Sequence, residues 1–66
     1  MKEPELSQFD KENIGLIVNG HGRWFSAMLI RLIAKADMRN RECLKEVFPN
    51  HVKAYEDWVL TSMVAE

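Results

Sequence analysis

The sequence predicts an all-α protein: a small bundle of three to four short helices in a single domain of 66 residues. Two observations carry that reading. Trp24, Phe25, Met28, Leu29, Leu32, Ile33 and Ala36 recur at the spacing of one helical face. Helix stops and starts then divide the rest of the chain at short intervals, at Asn19-Gly20-His21-Gly22, at Asp37 and at Pro49.

Taken in order, residues 1–6 read as a flexible leader, because Pro4 opposes an early helix. Ser7 or Asp10 is placed to cap a first helix over about 8–18, with Phe9, Leu16 and Ile17 on one face. Gly15 and the β-branched Ile14, Ile17 and Val18 leave a short extended segment as the alternative. Asn and Gly tolerate the left-handed backbone that ends helices, so Asn19-Gly20-His21-Gly22 predicts a corner. A second helix over about 23–36 is expected to bury the Trp24–Ile33 face and to turn Arg23, Ser26, Arg31 and Lys35 outward. Asp37 is a good cap for a third helix over about 38–47, with apolar positions Met38, Cys43, Leu44, Val47 and Phe48. A fourth, over about 50–63, carries Val52, Tyr55, Val59 and Met63 on one stripe, with Pro49 where a missing N–H does no harm. The expected core is Trp24, Phe25, Leu29, Leu32, Ile33, Leu44, Phe48, Tyr55 and Trp58.

Size bounds the answer further. A chain this short buries only ~60% of the surface its unfolded form exposes. Cys43 is the only cysteine, so no internal disulfide forms. Large apolar side chains compete for one small core, and the expected outlet is a homo-oligomer, most simply a dimer. A free cysteine and an acidic, polar N-terminus without a secretory signal point to the cytoplasm. Apolar runs are far below the ~20 residues that span a bilayer, so no membrane partner is expected.

The net charge of −1 conceals a gradient. The first 19 residues are acidic, residues 20–45 are basic, and the last 21 are acidic again. Arg31, Lys35, Arg39, Arg41 and Lys45 are therefore the candidate contacts for an anionic partner, nucleic acid included. Glu42 and Glu46 interrupt them and would repel phosphates. Trp24 and Trp58 are the candidate interface anchors, since tryptophan is enriched at binding hot spots.

The sequence contains no pattern that points to catalysis. His21 and His51 lack metal-ligand spacing, and no metal or cofactor is expected. Cys43, inside a helix beside Leu44, reads as a small buried hydrophobe rather than an activated nucleophile. The carboxylates Glu42, Glu46, Glu56 and Asp57 read as a solvated helix surface. The Asn-Gly-His-Gly turn lacks the longer glycine pattern after a strand that cradles phosphate.

His21-Gly22-Arg23-Trp24-Phe25, Leu29, Leu32 to Asp37, Asn40, Leu44, Phe48-Pro49, Val52, Ala54-Tyr55 and Trp58 together resemble a pattern in short, uncharacterised proteins of bacteriophages, prophages and other mobile elements. The resemblance implies an accessory role and carries no catalytic residue. The expected function is a non-enzymatic protein-interaction module, homo-oligomeric; the alternative is a small nucleic-acid-binding accessory factor using the central basic residues.

Overall fold

A computed structural model describes residues 3–64, with side chains described as far as Ser62. Five helices follow one another: α1 (Gln8–Glu12), α2 (Ile14–Val18), α3 (Phe25–Lys35), α4 (Met38–Val47) and α5 (Pro49–Val64). There is no strand among the described residues. The all-α expectation holds, with one helix more than foreseen.

The extra helix arises at Asn13, which leaves helical geometry at φ −125° and ψ 30°. Its side-chain amide donates to the Phe9 carbonyl at 2.8 Å, a local bond that competes with helix continuation. Ser7 caps α1, its hydroxyl accepting from the Asp10 N–H at 3.1 Å. Asp37 caps α4 in the same way, accepting from the Asn40 N–H at 2.8 Å. The corner between α2 and α3 needs its glycines. Gly20 and Gly22 both have positive φ, 112° and 92°.

Two buried clusters meet at Tyr55. One joins Leu6, Ile14, Ile17, Ala27 and Ile30, with Trp58 packed on it. The other joins Leu29, Ile33 and Val52, with Leu44 and Phe48 packed on it. The expected leader is corrected here over 3–6: Leu6 is in the core, and Glu3 is hydrogen-bonded to the start of α5. Met1 and Lys2 lie outside the described residues, as does the side chain of Met63.

The second correction concerns α3. Its buried residues are Ser26, Ala27, Leu29, Ile30 and Ile33. Of the expected inward face only Leu29 and Ile33 are buried. Phe25, Met28 and Leu32 are each more than half exposed, and Trp24 is 41% exposed. Two polar groups fix this rotation. Ser26 must point inward to meet His51 at 2.9 Å. Arg31 donates to the carbonyls of Ile17 at 3.0 Å, His21 at 2.9 Å and Gly22 at 2.5 Å. Those bonds tie α3 to the preceding corner, and the small Ala27 then sits fully buried in the first cluster.

Candidate functional site

The exposed side of α3 is the most distinctive surface of the molecule. Phe25, Met28 and Leu32 stand at i, i+3 and i+7, a stripe on one helix face. Phe25 meets the Phe48 ring at 6.2 Å between centroids. Beyond Leu32 the stripe opens into a shallow groove between α3 and α4, lined by Leu32, Lys35, Ala36, Asn40 and Leu44, with a volume of about 380 Å³. At the other end lies an aromatic group. Trp24 packs against Phe9 at 6.0 Å and His21 at 5.8 Å, both edge-on. The Trp24 indole N–H donates to the buried Asp10 carboxylate at 2.9 Å, which holds the ring in place. Gly22 leaves room for it, because a Cβ there would stand 2.5 Å from the indole. Of the two expected anchors, Trp24 is thus half-exposed on a rigid mount. Trp58 packs on the core, 3.3 Å from where a Cβ on Gly15 would be, and borders a groove of about 1090 Å³ between the N-terminal segment and α5.

The five central cations differ in what holds them. Arg31 is held by three backbone carbonyls. Arg41 is half-buried, donates to the Ala36 carbonyl at 3.2 Å and lies over the Tyr55 ring at 5.1 Å. Lys45 faces Glu56 at 3.8 Å. Lys35 and Arg39 are exposed and make no ion pair among the described residues. Cys43, expected to be buried, is exposed. No residue of α4 is buried, so the helix turns its outer side wholly to solvent.

One arrangement escaped the sequence reading. Glu3, His51 and Ser26 form a buried line. His51 Nδ1 is 2.6 Å from Glu3 Oε2, and His51 Nε2 is 2.9 Å from Ser26 Oγ. Glu3 also accepts from the backbone N–H groups of Asn50 and His51, each at 2.9 Å, and so caps α5 from the far end of the chain. An anionic carboxylate there also suits the helix dipole. Burial pushes the Glu3 carboxyl up; the hydrogen bonds from the His51 ring and the two N–H groups outweigh it, and the carboxyl lies below its usual range. A proton on Nδ1 satisfies both neighbours, with the Ser26 hydroxyl donating to Nε2. The order acid, imidazole, hydroxyl is that of an activated serine. The surroundings are different. His51 is completely buried, Ser26 is 8% exposed, and the two main cavities among the described residues are lined by neither. No local pattern announces this line, because its members are 25 and 48 residues apart.

Among the described residues no three His, Cys, Asp or Glu side chains gather as a metal site. No described helix is long and apolar enough to cross a membrane. No protein family, no curated protein and no solved structure matches the chain.

Proposed function

We propose that this protein is a non-enzymatic interaction module that self-associates through the outward face of α3, serving a phage or other mobile element in a reducing cytoplasm. The observation that carries the reading is the stripe of Phe25, Met28 and Leu32, more than half exposed on a helix whose opposite side is core. Contiguous apolar surface of this kind marks interaction sites. Trp24 adds a held aromatic anchor beside it. The closed surroundings of Ser26 and His51 favour a structural clasp over a nucleophile that must admit substrate. Nucleic-acid binding loses support because Arg31, Arg41 and Lys45 are engaged within the chain. The exposed thiol of Cys43 suits a compartment that keeps it reduced.

The test is Leu32→Glu, read by sedimentation equilibrium. A buried, unpaired charge at an interface costs several kcal/mol, so the variant is expected to be monomeric where the parent is associated. Unchanged helicity by circular dichroism shows that the fold is intact. Equal association of variant and parent would reject α3 as the docking face.

A further inference from the structure

The charges around the exposed stripe say which partner fits it. Apart from its apolar residues and Ser26, α3 carries only cations: Arg31, which is held at the corner, and exposed Lys35, while exposed Arg23 lies just ahead of the helix. Two α3 helices laid antiparallel about position 29 would bring Lys35 of one copy beside Arg23 of the other. Like charges so placed oppose a simple α3-on-α3 pairing.

A second exposed line has the opposite sign. Phe9 and Glu12 on α1 and Leu16 on α2 are all exposed. Lys11, the one cation of these helices, lines the groove against α5 instead. The two lines meet at the aromatic group, where Phe9 contacts both Trp24 and His21. The His21 N–H bonded to the Leu16 carbonyl at 3.0 Å brings the far end of the anionic line to the same place. The exposed apolar residues of the two lines therefore meet at this cluster, with the acid Glu12 on the α1–α2 side and the cations Arg23 and Lys35 on the α3 side.

We infer that this surface pairs with itself, and that a second copy binds across a twofold axis through the Phe9–His21–Trp24 cluster. This rests on the reading of α3 as the docking face. The twofold lays the α1–α2 line of each copy on the α3 stripe of the other, so Glu12 of one copy faces Arg23 of its partner, twice. Neither side chain makes an ion pair among the described residues. A bipolar patch is self-complementary only under such an operator, which is the requirement of an isologous contact.

Charge exchange tests this arrangement. Glu12→Arg alone and Arg23→Glu alone are each expected to weaken dimerisation about tenfold by sedimentation equilibrium. The double variant Glu12→Arg with Arg23→Glu restores the pairs and is expected to return to within about threefold of the parent. A second measurement is independent of affinity. Oxidised His21→Cys is expected to form a covalent dimer, whereas the exposed Cys43 of the parent, on α4, gives none. A parent that stays monomeric at millimolar concentration overturns the inference. So does a double variant weaker than either single change. If Leu32→Glu dissociates the parent while the double variant fails to recover, α3 remains the docking face and the twofold arrangement is wrong. If Leu32→Glu has no effect, the docking face itself is wrong.

Discussion

At the scale of single residues, the corner between α2 and α3 depends most sharply on Gly22. Its φ of 92° is costly for any residue with a Cβ, and that Cβ would stand 2.5 Å from the Trp24 ring. Gly20 has a φ of 112° but nothing within 4 Å. Gly20→Ala therefore pays for backbone geometry alone, about 1 kcal/mol. Gly22→Ala also displaces the indole, strains its bond to Asp10 and disturbs the carbonyl that Arg31 holds. Its expected cost is about 3 kcal/mol, a loss of more than ~10 °C in Tm for a domain of this size. Thermal melts of the two variants check the order, and equal losses would mean that the indole moves aside freely. Arg31 shows why charge alone misleads at this scale. A cation in the last turns of a basic helix reads as solvated, yet three carbonyls at the corner accept its hydrogen bonds.

At the scale of elements, much was legible. Ser7 and Asp37 announce helix starts because a short side-chain oxygen can take an N–H that the first turn leaves free. The limits of α4 follow from Asp37 and Pro49 directly. The face of α3 was not legible. Between Trp24 and Ala36 apolar residues cover two adjacent sides of the helix, and periodicity alone cannot choose between them. The choice falls to Ser26 and Arg31, whose partners come from distant chain positions. The same distance hid the cap on α5. Glu3 has a lowered pKa, so its contribution to stability is fully present above the ordinary value of 4.5 and is lost as pH falls through the depressed one. Glu3→Gln removes the charge while keeping one acceptor, and is expected to cost about 2 kcal/mol at neutral pH. Its stability should also fall less steeply than the parent's below pH 4.5. Denaturant melts across that range measure both effects, and parallel pH curves would assign the acid sensitivity to other groups.

At the scale of the whole molecule, the surface and the core make one argument. Among the described residues few large side chains are completely buried: Ile17, Ile30, Ile33, His51 and Val52. Two of the aromatic residues expected inside, Trp24 and Phe25, are exposed to about half their surface, as is Phe9. A core of that size supplies only a few kcal/mol in a domain of this length. Covering the exposed aromatic and methionine side chains with a second copy adds burial that the monomer lacks, and it adds it only to the folded state. Stability then depends on protein concentration, because association binds the native form alone. A tenfold rise in concentration adds about 1.4 kcal/mol per dimer, half of that per chain, and should raise Tm by ~3–5 °C. Leu32→Glu should abolish this dependence and leave a single Tm at every concentration, near that of the parent at high dilution. Calorimetry over a hundredfold range of concentration measures it. A parent Tm that stays fixed across that range would show that five helices with an uncovered apolar side are stable alone, and the exposed stripe on α3 would then call for a partner other than this chain.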